Sequence, residues 1–180
     1  YSLDRGQTWI SEDTGKAGTL GIGASSSECV VTELSDGRLM LNARNENRSG
    51  YRKIFTTDDM GKTWTAHATN LKALPEPAAC QASQLAVENS GNIGRALLFS
   101  NPAKTAAPRA LMTLKASFDE GSTWPSGSQV LYDSRPSSGY SDICETGDGH
   151  IGVLYEGLNG DENIFFLRIP YEHIHITDYQ

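Results

Sequence analysis

An eight-residue motif occurs three times in this chain and restricts the fold more strongly than any other feature. Each copy has the pattern Ser/Thr-x-Asp-x-Gly-x-Thr-Trp, and the copies occupy residues 2–9, 57–64 and 117–124. Their aspartates, Asp4, Asp59 and Asp119, are 55 and 60 residues apart, which indicates a repeated supersecondary unit. The Asp of each copy can accept hydrogen bonds from backbone N–H groups, and the Gly tolerates a positive φ. Each copy therefore predicts a tight turn before a strand. We therefore assign the three aspartates a structural role.

The segments between these motifs have the pattern of short strands joined by turns. Asp36-Gly37 lies between two apolar runs, and such a dipeptide is a strong hairpin signal. No segment shows an apolar period of 3.6 residues, so the sequence predicts an all-β fold. The predicted strands cover residues 28–33, 38–44, 51–57 and a start near 64, then 81–87, 96–100, 109–117 and about 130–132, then 140–145, 151–156, 164–169 and about 173–177.

Composition excludes several classes of function. The net charge is −7, whereas a surface that binds nucleic acid is usually basic. No apolar run approaches the roughly 18 residues of a membrane-spanning helix. Cys29, Cys80 and Cys144 are widely spaced, and we expect three buried thiols rather than a disulfide framework. His173 and His175 fit an exposed C-terminal strand, so neither a metal nor another cofactor is expected.

Polar side chains recur at one end of the predicted four-stranded units. In such a unit, the first strand starts, the second ends and the third starts at the same end of the sheet. Seven residues occupy these positions, namely Glu28, Gln81, Tyr140, Arg44, Asn101, Glu156 and Arg109. Arg48 and Arg52 are alternatives to Arg44, and we expect them on a solvated loop. The topology therefore predicts a site at one mouth of the molecule.

The chemistry of this set is specific. Two arginines that face one cavity suit a carboxylate, because the guanidinium group offers a planar, permanently charged fork. Tyr140 is a weak nucleophile, since the ordinary pKa of a phenol is about 10. A neighbouring Glu28 would serve as its base. A substrate with a carboxylate at the reacting carbon would repel an anionic nucleophile, and a neutral phenol avoids that repulsion.

Three stretches of sequence resemble one enzyme family. The runs SSSECVVTELSDGRLMLNARNE, LLFSNPA with the following SFDEGSTWP, and SGYSDICETGDGHIGVLYE look like segments of bacterial and animal exo-sialidases. The repeated motif resembles the Asp box of sialidase-type β-propellers. This resemblance covers nearly all of residues 1–177 and implies a six-bladed propeller.

The resemblance also implies a role for five residues. Tyr140 would form a covalent sialyl-enzyme with Glu28 as its base, as expected for a sialidase with a tyrosine nucleophile. Arg44 and Arg109 would be two of three arginines that clamp the sialic acid carboxylate. Glu156 would orient the remaining arginine. The implied enzyme is a glycoside hydrolase that releases terminal α-linked sialic acid from glycans with retention, without a metal or other cofactor.

The chain lacks part of what the resemblance requires. A propeller closes with four to eight blades, and we count a blade end at 1–12 and blades at about 24–70, 78–133 and 138–177. Residues 1–180 are therefore interpreted as the C-terminal portion of one propeller domain, whose N-terminal half would be its partner. The general-acid aspartate and the first arginine have no match. Arg168-Ile-Pro170 has the letters of the arginine segment but follows Tyr140, so it receives no role. We expect the isolated chain to be inactive.

Two alternatives remain open at this point. A trans-sialidase would use the same residues, with a sugar in place of water as the acceptor. A non-catalytic propeller that binds a ligand would explain the Asp boxes but not the site residues at one mouth. Relatives of this kind imply a secreted, periplasmic or cell-surface location, or a lysosomal one for an animal protein.

Overall fold

The described residues form three antiparallel β-sheets that lie side by side. The computed structural model describes residues 2–10, 22–88, 94–137, 139–157 and 163–174. The first sheet contains β1 Ser26–Glu33, β2 Leu39–Asn45, β3 Lys53–Thr57 and β4 Thr65–Ala66. The second contains β5 Ser83–Val87, β6 Ala96–Pro102, β7 Ala110–Ser117 and β8 Gln129–Pro136. The third contains β9 Ser141–Thr146, β10 His150–Glu156 and β11 Ile164–Pro170.

Each sheet is a meander in which neighbours along the chain are hydrogen-bonded neighbours in space. The first strand of the second sheet, β5, packs between β1 and β9. The only helices among the described residues are two 3₁₀ turns, Ser126–Ser128 and Tyr171–His173. The prediction of an all-β fold with short meander units is therefore confirmed.

Two strand predictions are wrong where the structure describes them. Residues 171–173 form a 3₁₀ turn directly after Pro170, so the predicted strand does not include His173. Residues 175–177 of that strand, His175 among them, lie outside the described residues. Trp9 and Ile10 form no strand after the first Asp box, because no described strand pairs with them. Residues 11–12 of the predicted blade end also fall outside the described part of the chain.

The three Asp boxes form nearly identical turns. In the second copy, Asp59 accepts the Thr57 hydroxyl at 2.7 Å, the Thr63 amide at 2.9 Å and the Thr63 hydroxyl at 2.7 Å. These bonds, the Thr63 amide first, lower the pKa of Asp59 to about 2. Equivalent contacts surround Asp4 and Asp119. The second and third copies join β3 to β4 and β7 to β8, so their structural role as hairpin turns is confirmed.

Apolar clusters lie between adjacent sheets. Leu98, Met112 and Ile151 are fully buried where the second and third sheets meet, and Met40 and Phe99 are buried where the first meets the second. Burial of this kind contributes about 25 cal/mol for each Å² of apolar surface removed from water. Packing between sheets therefore fixes the relative positions of strand ends that are far apart in sequence.

The cysteine prediction is correct for one residue of three. Cys80 is buried, whereas Cys29 and Cys144 are exposed. Both exposed cysteines lie on the first strands of their sheets, β1 and β9, where alternation directs one set of side chains away from the packed face. Among the described residues, no helix has the length and apolarity needed to cross a membrane.

Candidate active site

A β-bulge directs Glu28 out of its sheet. The register between β1 and β2 shifts between Ser27 and Cys29, which leaves Glu28 without a partner residue in the ladder. Its φ of 35° lies in the left-handed region that side chains rarely adopt. A bulge of this kind re-aims a side chain at the end of a strand. Here it turns the carboxylate toward the start of the third sheet.

Glu28, Arg44 and Tyr140 form a hydrogen-bonded triangle. The phenol of Tyr140 donates a short hydrogen bond to Glu28 Oε1. Arg44 Nη1 lies 2.8 Å from Glu28 Oε2 and 3.1 Å from the Tyr140 oxygen. The structure thus brings together three residues, from β1, β2 and the entry to β9, that the topology predicted at one mouth. A phenol with a carboxylate partner on one side and a guanidinium on the other is suited to proton transfer.

The charges within this triangle determine its protonation state. Burial pushes the pKa of Glu28 upward, but hydrogen bonds from Tyr140 and Arg44 outweigh it and leave that pKa below its ordinary value. The hydrogen bond to Glu28 raises the pKa of Tyr140, against the opposing effect of Arg44 and Arg109. At neutral pH the pair is therefore a neutral phenol beside an ionised carboxylate. The phenol can lose its proton only as it reacts, and Glu28 is positioned to accept it.

Arg109 lies on the other side of the tyrosine ring. Its guanidinium carbon is 5.8 Å from the centroid of Tyr140, a cation–π arrangement. Its Nη2 donates to the carbonyl of Ala79 at 2.7 Å. Two guanidinium groups, those of Arg44 and Arg109, therefore flank one phenol. That arrangement favours an anionic ligand above the ring.

Glu156 contacts the backbone of the tyrosine. Its Oε2 accepts the amide of Tyr140 at 3.2 Å, and its own amide donates to the Tyr140 carbonyl at 2.9 Å. Its role as the partner of a further arginine stays a prediction. The other two candidates at this mouth are Gln81 and Asn101. The Gln81 side chain is hydrogen-bonded to the backbone of Ser141 beside the tyrosine. Asn101 is fully buried, so its side chain is not exposed at the mouth as predicted.

One of the two arginines that we expected on a solvated loop, Arg52, is fully buried, whereas Arg48 is exposed as expected. Arg52 is 0% exposed, and its Nη1 lies 2.5 Å from Glu76 Oε2. No local sequence pattern singles out Glu76, because its partner is 24 residues away. Sequence reasoning also missed Glu46, which lies 2.9 Å from Arg44 Nε without hydrogen-bond alignment. Arg44 and Glu46 are two residues apart, and on an extended segment this spacing places both side chains on one face. That spacing was the signal in the sequence that could have identified the pair.

A cavity of about 190 Å³ adjoins the tyrosine. Tyr140, Gln81 and Glu156 line one part of it, and Leu154 and Ile164 line another. A larger cavity of about 610 Å³ lies against the far ends of β1 and β5, where Arg95 is paired with Glu120. Within the described part of the chain, no group of three or more His, Cys, Asp or Glu side chains is arranged to hold a metal ion.

Comparisons with known proteins identify relatives of this chain. A family profile described as "BNR repeat-like domain" matches residues 1–153. A sialidase of Bacteroides fragilis is 40% identical over 87% of this chain, and one of Micromonospora viridifaciens is 35% identical over 89% of it. The chain spans only 27% and 23% of the lengths of these two curated relatives.

Solved structures show the same relationship. The Hadza microbial sialidase Hz136 superposes with a TM-score of 0.75 at 38% identity, over 84% of this chain and 29% of that protein. The Trypanosoma rangeli sialidase superposes with a TM-score of 0.73 at 24% identity, over 96% of this chain and 27% of that protein, which supports the fold alone. These relatives are β-propellers, and this chain corresponds to part of one. With its three Asp boxes, its meander sheets and this profile match, the chain belongs to the BNR repeat-like domain family and is related to the sialidases.

Proposed function

We propose that this chain supplies the nucleophile side of an exo-sialidase site that cleaves terminal α-linked sialic acid. One observation carries the proposal: the Tyr140 phenol is hydrogen-bonded to Glu28 and flanked by two guanidinium groups. Arg44 and Arg109 would bind the carboxylate of the sugar. The sialidases at 35–40% identity support the same substrate class.

In the first step, the Tyr140 oxygen would attack the anomeric carbon while the bond from that carbon to the leaving-group oxygen breaks. The phenol proton would pass to Glu28, and the leaving oxygen would take a proton from a general acid. As water attacks the glycosyl-tyrosine, Glu28 would return the proton to the leaving tyrosine oxygen and the general acid, now ionised, would take a proton from the water, so that two inversions give retention. A neutral phenol is favoured because an anionic nucleophile would be repelled by the substrate carboxylate. The same covalent chemistry serves transfer to a sugar, and the acceptor distinguishes a trans-sialidase from a hydrolase.

We propose further that the general acid and a third arginine come from another part of a longer polypeptide. The short span of this chain relative to its relatives supports that view. So does an apolar surface on the third sheet, where Leu154, Ile164 and Phe166 are 46%, 69% and 58% exposed. Neighbouring blades of a propeller bury surfaces of this kind. Loss of a general acid costs about 10²–10⁴-fold in rate, so residues 1–180 alone should be inactive.

The test is release of a fluorescent aryl group from an α-sialoside by the parent polypeptide, with the intact mass of every chain recorded. Tyr140→Phe should abolish turnover while binding of the sialoside persists. Tyr171→Phe is a matched control, because the Tyr171 phenol also donates to a glutamate, Glu145, at 2.7 Å but outside the site. A parent protein that binds sialosides without turnover would instead be a non-catalytic module. Robust turnover by homogeneous residues 1–180 would contradict the proposed division of the site.

A further inference from the structure

The segment that connects the first and second sheets passes directly beneath the candidate site. It runs from Glu76 to Gln81 and contains two consecutive non-glycine residues with positive φ, Ala78 at 51° and Ala79 at 56°. Left-handed backbone is unfavourable for residues with a Cβ. Such conformations persist only where the surrounding structure over-determines them. The contacts around residues 76–81 must therefore hold the segment in this conformation.

A buried ion pair holds the segment in place. Arg52 Nη1 donates to Glu76 Oε2 at 2.5 Å and to the carbonyl of Cys80. Arg52 Nε donates to Asn42 Oδ1 at 2.7 Å. Glu76 Oε1 accepts the amide of Asn45 at 2.9 Å, next to Arg44 on β2. Because Arg52 and Glu76 are 0% and 1% exposed, their hydrogen bonds are shielded from competition with water.

The segment in turn contacts both residues that flank the tyrosine. The Cys80 thiol lies 3.4 Å from the carbonyl of Gly139. Gln81 Nε2 donates to the carbonyl of Ser141 at 3.0 Å, and the Ser141 amide donates back to Gln81 Oε1 at 2.9 Å. The paired bonds leave the Gln81 amide one orientation relative to the Ser141 backbone. The segment therefore contacts Gly139 and Ser141, the residues on either side of Tyr140, and restrains the tyrosine through them.

The same segment also restrains the second arginine of the site. The carbonyl of Ala79 accepts Arg109 Nη2 at 2.7 Å. Gly139 packs closely against the same segment. Its φ is 93°, and a Cβ at this position would lie 2.8 Å from the Cys80 sulfur and 3.1 Å from Arg109 Cδ. One buried assembly therefore contacts Arg109 directly and Tyr140 through the residues on either side of it.

We infer that residues 78–81, fixed by the Arg52–Glu76 pair, set the position of Tyr140 against Glu28, with Gln81 as the principal positioning residue. Gln81 acts through Ser141 and needs no contact with the reacting atoms. The inference rests on the proposed function for its kinetic consequence. The position of the Tyr140 phenol can be measured without catalysis.

The experiment replaces Gln81 with methionine, which has similar length and makes neither hydrogen bond. The matched control is Gln129→Met, because Gln129 Nε2 also donates to a backbone carbonyl, that of Trp124 at 3.3 Å, away from the site. In the parent polypeptide, Gln81→Met should lower kcat for an aryl sialoside by about 10- to 100-fold, the cost of a displaced reacting group. KM and the unfolding midpoint should match those of the control.

A second measurement separates this inference from the proposed function. With ¹³C-labelled tyrosine, the Tyr140 resonance is identified by its absence in Tyr140→Phe, and it should shift in Gln81→Met but not in Gln129→Met. A wild-type protein without turnover would refute the proposed function and leave this shift to decide the positioning role. An unshifted resonance, or a wild-type kcat in Gln81→Met, would overturn the inference.

Discussion

Removal of the Glu28 carboxylate beside the tyrosine should make the catalytic rate depend on the fraction of Tyr140 that is already ionised, and therefore on pH. Glu28→Gln keeps the size and a hydrogen-bond acceptor but removes the group that would take the phenol proton. In the wild type, the depressed pKa of Glu28 keeps it ionised at mildly acidic pH. In the variant, Tyr140 has no base, so it would react only when already ionised. Its pKa should fall below the wild-type value, because Glu28 raises it while Arg44 and Arg109 lower it.

The expected loss of rate in Glu28→Gln follows from the fraction of a phenol that is ionised at the assay pH. An ordinary phenol, with a pKa of about 10, is ionised in roughly one molecule in 10⁴ at pH 6. This fraction agrees with the factor of about 10²–10⁴ that a general base contributes. We therefore expect Glu28→Gln to lose about 10²–10⁴-fold in kcat/KM at pH 6. The ratio of variant to wild-type rate should rise about tenfold per pH unit until Tyr140 ionises.

The assay is release of a fluorescent aryl group from a sialoside by the parent polypeptide at several pH values, with each variant rate divided by the wild-type rate. This division removes ionisations that both proteins share. Glu145→Gln is the matched control, since Glu145 also accepts a tyrosine hydroxyl, and it should leave the rate unchanged. A ratio for Glu28→Gln that is independent of pH, or an undiminished rate at pH 6, would refute the role of Glu28 as base.

Three further predictions concern stability and local geometry. Glu76→Gln leaves the buried Arg52 charge uncompensated and should lower the free energy of unfolding by about 3–5 kcal/mol in urea titrations; an unchanged midpoint would contradict the buried pair. Burial lowers the pKa of Lys115 to about 7, against about 10.4 when unfolded, so the unfolded chain binds more protons between these values. Stability should therefore rise from about pH 7 to pH 10 by up to about 1.4 kcal/mol per unit, and Lys115→Met should abolish the rise. Gly139→Ala should lower kcat, measured beside its unfolding midpoint, because the new Cβ would lie 2.8 Å from the Cys80 sulfur; wild-type kcat would show that the loop relaxes.

The strand ends were predictable because they depend on local pattern. The turn at Asp36-Gly37, the Asp boxes and alternating apolar residues define each hairpin within a few residues of its observed bounds. Once strands are paired in a meander, Arg44 and Tyr140 must end near the same mouth. The proximity of the site residues could therefore be predicted from sequence.

The features that escaped prediction depend on contacts between distant segments. The bulge at Glu28 is invisible in the run ECVVTE, which has the composition of an ordinary strand. Arg52 lies near a turn, and only the packing of Glu76 and Cys80 against it makes its burial tolerable. Cys29 and Cys144 are exposed because they lie on the unpacked faces of their strands. In each case, the outcome depends on how segments that are distant in sequence pack or pair with one another.

The hydrogen bond between Tyr140 and Glu28 joins residues 112 positions apart, whereas the strand pairs within each sheet are formed by neighbours along the chain. Contacts of long sequence separation form slowly, because a large loop must be closed before they can stabilise anything. Each meander can therefore form on its own, while the phenol meets its carboxylate only after three sheets have docked. Recovery of enzymatic turnover during refolding would then report the end of assembly, later than spectroscopic signals from the individual sheets.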